Sequence, residues 1–164
     1  MRPMRVLRLV VHARSRQPVL VLGEVDGDRC LPVFLRAQQA EVISVGKREG
    51  ADQETAVSQD VLLPVVEALG SRLVGAEITA LVDGVYSAEL VLDNDLRVSV
   101  RPSDALAVAV REDLPIGVAD EILDDVGQDV SEVFPVEGSA APPEEQVQEF
   151  RDFLDDVSPD DFRR

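Results

Sequence analysis

The 164 residues include no tryptophan, and there is one tyrosine, one histidine and one cysteine beside five phenylalanines. Each shortage removes a class of activity. With aromatics at only 4% of the chain, a surface that binds nucleic acid by stacking bases on exposed rings is poorly supplied. Cys30 alone leaves no internal disulfide and no cysteine-rich zinc site, and so little thiol suits a reducing compartment. His12 alone rules out, within one chain, a two-histidine ribonuclease, an HExxH zinc site or a histidine-based two-metal cluster. Hydrolysis, if any, must lean on carboxylates, hydroxyls, arginines or a borrowed metal. No apolar run approaches the ~20 residues that span a bilayer. Residues 1–11 interleave Arg2, Arg5 and Arg8 with apolar residues, unlike the continuous apolar segment of a signal peptide. A cytoplasmic protein with no membrane partner is the expectation.

What is abundant is aliphatic and acidic. Apolar residues make up 45% of the chain, so a core must be built from Val, Leu, Ile and Ala. The net charge of −16 is unevenly placed: residues 1–48 hold nine basic groups against four acids, whereas residues 49–126 hold four against seventeen. Residues 127–164 add three basic and eleven acidic groups. A charge of this sign repels a phosphate backbone at long range, so contact with nucleic acid must use the basic N-terminal part or a bound cation. The length fits one domain over residues 1–138 followed by an acidic linker and tail over 139–164.

Periodicity predicts an α+β fold with a largely antiparallel sheet built from hairpins with interspersed helices. Residues 5–11, 18–25 and 30–35 read as a meander of three strands, the first apolar on both faces, with Leu7, Leu9 and Val11 opposite Val6, Arg8, Val10 and His12. Residues 37–47 predict a helix that Gly50 ends. Ser58 is the expected cap of the next helix, with Val61, Leu62, Val65, Val66 and Leu69 as its buried stripe and Pro64 marking where regular helix begins. Residues 73–82 and 85–92 form the clearest hairpin, around Asp83-Gly84, with Val74, Ala76, Ile78, Ala80 and Val82 expected on one face and Tyr86, Ala88, Leu90 and Leu92 matching them. Leu96, Val98 and Val100 then face the core from a further strand, and Pro102 opens a helix apolar on nearly every side. A short strand at 116–118 and an acidic helix at 119–126 close the domain. In the tail, Val147, Phe150, Leu154 and Val157 give residues 144–157 the pattern of an amphipathic helix. A helix of that length needs something to pack on, namely its own domain, a sister subunit or another protein.

The densest polar chemistry is Arg101-Pro102-Ser103-Asp104-Ala105. With Pro102 at the first helical position, Ser103 and Asp104 lie in the first turn beside free backbone N–H groups and next to Arg101. A phosphate there would accept bonds from those N–H groups and from the guanidinium, with Ser103 or Asp104 positioning water or a metal. The same residues also suit a purely structural corner in which Asp104 caps the helix and pairs with Arg101. His12 reads as a packed or solvent-facing residue and Cys30 as a small core hydrophobe.

In order along the chain, Leu31-Pro32-Val33, Asp60-Val61-Leu62-Leu63, Glu67-Ala68-Leu69-Gly70, Ile78-Thr79, Asp83-Gly84-Val85-Tyr86-Ser87-Ala88, Arg101-Pro102-Ser103-Asp104-Ala105 and Pro115-Ile116 resemble the bifunctional nuclease domain family. The resemblance spans most of residues 5–127. It implies an α+β fold, self-association with a dimer favoured, and degradation of DNA and RNA. Three polar positions depart from the family pattern: Gln39 and Ser99 stand where an acid is frequent, and Gln59 where a histidine is. Gln is neither a general base nor a good ligand for a divalent ion. Glu41, Asp60, Glu67 and Asp104 remain. A nuclease reading assigns Asp104 and Asp60 as base or metal carboxylates, Glu41 as a third ligand to one Mg²⁺ or Mn²⁺, Arg101 to the phosphate and Ser103 as a donor. The alternatives are a module that binds a small anion or a partner protein without catalysis, and an assembly subunit joined through the N-terminal sheet and the tail.

Overall fold

The computed structural model describes residues 1–48 and 57–133. The expected tail helix at 144–157, its linker and Gly50 lie outside these residues. Eight strands form one sheet in the order β6-β5-β4-β7-β1-β2-β3-β8. The strands are β1 (Arg2–Val11), β2 (Pro18–Glu24), β3 (Arg29–Phe34), β4 (Leu73–Val82), β5 (Val85–Leu92), β6 (Arg97–Val100), β7 (Ile116–Val118) and β8 (Gln128–Asp129). All pairs are antiparallel except β4 with β7. The α+β class, the N-terminal meander and the β4–β5 hairpin are therefore as expected, with Gly84 at φ 77° in the turn.

Helices α1 (Ala37–Val45) and α3 (Pro102–Arg111) pack against each other and against one face of this sheet. Leu20, Leu22, Leu31, Val33, Ile78 and Leu90 meet Ala40, Ile43, Ala105, Leu106 and Ala109 there, and α4 (Asp120–Val126) adds Ile122 and Leu123. A stripe of alanine on α3 lets its backbone lie close to the strands, which is why a core with so few rings closes. The opposite face is divided. Across β4, β5 and β6 it carries Glu77, Glu89 and Arg97, with the Arg97 guanidinium donating to both carboxylates. Across β1, β2 and β3 it is apolar, centred on Val19, Val21 and Cys30.

Several expectations shift by a register or a turn. The first helix stops at Val45, not at Gly50, because Gly46 adopts φ 79° and its N–H returns to the Val42 and Ile43 carbonyls. Ser58 is not the cap of the next helix. A 3-10 turn over Ser58–Val61, itself capped by Val57, precedes α2 (Leu62–Ala68), whose N-cap is Val61, and the Asp60 carboxylate accepts the Val57 N–H at 3.1 Å. Pro64 thus falls in the first turn of α2, where no intrahelical N–H is needed. That start rotates the expected stripe: Leu62, Leu63 and Val66 pack inward, whereas Val61, Val65 and Leu69, at i, i+4 and i+8, are exposed. Bulges near Val74 and Thr79 break the alternation of β4, leaving Ala76 and Ile78 buried but Val74 and Val82 exposed. A bulge at Leu7 likewise moves that residue from the face of Leu9 and Val11 to that of Val10, where it lies over Gly23; a Cβ on Gly23 would come within 2.6 Å of Leu7 Cδ1. Val98 is exposed because β6 is the edge of the sheet, and Leu96 is exposed in the turn before it.

The largest fully buried side chain is Arg111, 2% exposed, in the last turn of α3. Its Nε and Nη2 bond the two Asp60 oxygens at 2.7 and 2.9 Å, and its Nη1 reaches the Gly46 carbonyl at 3.2 Å. The Arg111 hydrogen bonds hold the Asp60 carboxyl below its ordinary 3.8, against the opposing effect of burial and helped by the Val57 N–H. Asp60→Ala leaves a buried cation uncompensated, and breaking such a pair costs roughly 3–5 kcal/mol, measurable by urea denaturation. A lowered folded value means that the stabilisation is complete above the unfolded value near 3.8 and is lost as pH falls through the folded one. Below pH ~4 the wild type therefore loses stability relative to Asp60→Asn, and acid titration of the two midpoints checks this.

Candidate functional site

Helices α1 and α3 run side by side in the same direction. At their starts Gln39 Nε2 donates to Asp104 Oδ1 at 2.7 Å, and at their ends the Gly46 carbonyl accepts from Arg111. Both helices begin with an arginine in extended conformation, Arg36 before α1 and Arg101 before α3, and neither start is closed by a side-chain cap. Backbone N–H groups of Ala37, Gln38, Gln39 and Ser103 thus share one corner, where the positive ends of two helix dipoles coincide. Arg36 and Arg101 are exposed, and Ser103 is buried in the first turn of α3. Free backbone N–H groups of this kind are receptive to an anion, and the Arg101 guanidinium lies beside them on Asp104.

Asp104 is fully engaged within this corner. Arg101 Nε donates to its Oδ2 at 2.6 Å while Gln39 holds Oδ1. Gln39 is 5% exposed, and its own Oε1 is buried with no hydrogen-bond partner among the described residues. Of the structural corner expected from sequence, the pairing of Asp104 with Arg101 forms and the helix cap by Asp104 does not.

Asp60 and Asp104 lie at opposite ends of α3. Asp60 is bound to Arg111, seven residues and about 10 Å along the helix axis from Asp104. Glu41 is exposed on α1. Among the described residues no group of three or more His, Cys, Asp or Glu side chains is placed to hold a metal ion. The oxygens of Asp60 and Asp104 already face cationic or amide donors, so the three carboxylates as arranged do not fit a shared Mg²⁺ or Mn²⁺.

Arg36 and Arg111 were not singled out as candidates from sequence. Arg36 was legible as the residue just before a predicted helix, in the same position relative to α1 that Arg101 holds relative to α3. Arg111 had no such signal, since an arginine in a last helical turn is ordinarily solvated. Beside it, the Glu112 carboxyl is pushed above its ordinary 4.5, chiefly by burial, with Arg48 at 3.0 Å opposing that shift and Asp60 reinforcing it. Its Oε1 also has no partner among the described residues. His12 contacts Ser15 and stacks edge-on against Phe34, and Cys30 is buried with its thiol raised by that burial.

A family model for the bifunctional nuclease domain matches residues 20–131. The chain belongs to the bifunctional nuclease domain family. Its relatives include two uncharacterized proteins from two strains of Mycobacterium tuberculosis, each 35% identical over 159 residues that cover 97% of this chain and 96% of the relative. Within the bifunctional nuclease domain, the matched span runs from β2 through α5 (Val130–Val133) and contains the whole α1–α3 corner. No helix among the described residues is long and apolar enough to cross a membrane.

The departure at Gln39 has a measurable consequence. Gln39→Glu places a second carboxylate against Asp104 in a buried position, which costs roughly 1–3 kcal/mol unless a cation joins them. The expected outcome is a melting temperature that falls in EDTA and recovers with Mg²⁺ or Mn²⁺, with no such dependence in the wild type.

Proposed function

We propose that this protein hydrolyses phosphodiester bonds of DNA or RNA at the corner where α1 and α3 begin. The observation that carries the reading is the meeting of two uncapped helix starts, each preceded by an exposed arginine. A substrate phosphate accepts from the Ser103 and α1 backbone N–H groups and competes for the Arg101 guanidinium. As Arg101 turns to the phosphate, Asp104 Oδ2 is released while Gln39 keeps Oδ1 in place. The freed carboxylate oxygen takes the proton of an attacking water, the new P–O bond forms as the ester P–O bond breaks, and the leaving oxygen is protonated from solvent. Ser103 supplies a donor from the first turn. Asp60 takes no part in this step; its bidentate pair with Arg111 makes it a weak base that fixes the far end of α3.

A second reading is favoured by one specific observation: in the free protein both Asp104 oxygens are already engaged and the neighbouring acid is replaced by Gln39. On that reading the corner binds a phosphate-bearing ligand without turnover.

Tag-free protein assayed on single-stranded and duplex substrates, in EDTA and with Mg²⁺ or Mn²⁺, separates the two and reports whether a metal takes part. Arg101→Ala is expected to lower kcat/KM by about 10- to 100-fold, the worth of one charge-assisted bond to phosphate. Asp104→Ala is expected to abolish turnover while retaining phosphate binding. Activity unchanged in both variants contradicts the nuclease reading, and binding without any turnover in the wild type favours the module.

A further inference from the structure

We infer that the Tyr86 hydroxyl is a ligand of the phosphate bound where α3 begins, a role that rests on the phosphodiester reading of that corner. Tyr86 lies on β5, which pairs Ala88 with Val100 of β6. Arg101 prolongs β6 in extended conformation before Pro102 opens α3, so the same antiparallel register sets Ser87 against Arg101 and Tyr86 against Pro102. Side chains alternate along a strand, and Ala88 and Leu90, on the same face as Tyr86, are buried beneath the helices. Tyr86 therefore projects from the helix-covered face, beside the first turn of α3 and at the end toward which the free N–H groups of that turn point.

The ring and the oxygen of this side chain have different surroundings. The ring packs on the core, with Leu81 across from it on β4. The oxygen makes no hydrogen bond among the described residues. It is not buried either: the buried side-chain atoms without a partner among those residues are Gln39 Oε1, at this same corner, and Glu112 Oε1. A phenol gripped by apolar neighbours and open at its tip is held ready to bond what lies beyond it. Burial of the ring raises the Tyr86 hydroxyl above its ordinary 10, so at neutral pH it keeps its proton and meets an anion as a donor. The Ser103 hydroxyl, in the adjacent turn, is likewise without a hydrogen bond among the described residues. The side-chain donors of Arg101 and Gln39, in contrast, are spent on Asp104. Two hydroxyls and the backbone N–H groups thus receive a phosphate before any bond of the free protein is broken, and Arg101 follows as it leaves Asp104.

The chain has one tyrosine and no tryptophan, so its tyrosine emission belongs to Tyr86 alone, and a hydrogen bond from the phenol to a proton acceptor quenches that emission. The intact wild type and Tyr86→Phe, which keeps the ring and removes only the oxygen, are titrated with inorganic phosphate at constant ionic strength. Binding is read by calorimetry and by the Ser103 amide shift in both proteins, and by tyrosine emission in the wild type. The expected result is saturable quenching with the midpoint of the Ser103 shift, and a Kd about tenfold higher in Tyr86→Phe, the worth of one hydrogen bond to a charged group. The melting temperature of the variant without phosphate stays that of the wild type. Phosphate that shifts the Ser103 amide but leaves the emission and the affinity of the variant unchanged overturns the role of Tyr86 and leaves the corner standing. No phosphate binding by the wild type overturns both. Should the variant be loosened, the wild-type emission decides: quenching that saturates with the Ser103 shift supports the contact, and constant emission contradicts it.

Discussion

Two helices laid side by side in the same direction set the constraint from which the rest of the structure follows. Their dipoles repel along their whole length, and the sequence answers with one charge at each end. Arg111 sits where the negative ends of α1 and α3 meet, bonded to the Gly46 carbonyl and to Asp60. Asp104 sits where the positive ends meet, held by Gln39 and Arg101. The two acids resemble each other in sequence but differ in environment. Asp60 balances a buried cation and is thereby removed from chemistry, whereas Asp104 balances an exposed one and stays within reach of an incoming anion.

The buried Asp60–Arg111 pair and the proposed anion corner thus lie at opposite ends of a single helix. The buried pair at one end fixes the rotation and height of α3, and the alanines between them keep α3 close enough to the sheet that its start meets the start of α1. The corner needs no aromatic platform and no histidine, which is consistent with a chain nearly devoid of both. Backbone N–H groups and arginine, which the corner offers, would recognise a phosphate without regard to base identity.

The hairpins, the strand-to-helix corner at Arg101 and the burial of α3 were legible because each depends on neighbours in sequence: alternation, an Asp-Gly turn, a proline at a helix start. The misreadings have a common origin in local irregularity. Bulges at Leu7 and in β4 reverse which residues face inward, and the 3-10 turn before α2 rotates Val61, Val65 and Leu69 out to solvent. Exposure of Val98 depends on β6 being an edge strand, which is a property of the sheet order and absent from any local pattern. For the site, Arg101, Ser103 and Asp104 were readable in one motif, but the pairing of Asp104 with Gln39 and of Asp60 with Arg111 joins residues 65 and 51 positions apart. Glu41, Asp60 and Asp104 share only a residue type; the packing of α1 on α3 gives Asp60 to Arg111 and Asp104 to Gln39 and Arg101, and leaves Glu41 exposed.

The central claim is that the shared start of α1 and α3 binds phosphate. Titration of isotopically labelled protein with a short oligonucleotide, followed through its backbone amide resonances, tests it most directly. Saturable shifts centred on Ala37, Gln38, Gln39 and Ser103 are expected, accompanied by movement of the Arg101 and Gln39 side-chain N–H signals. Shifts confined to another surface, or none at saturating ligand, would contradict it.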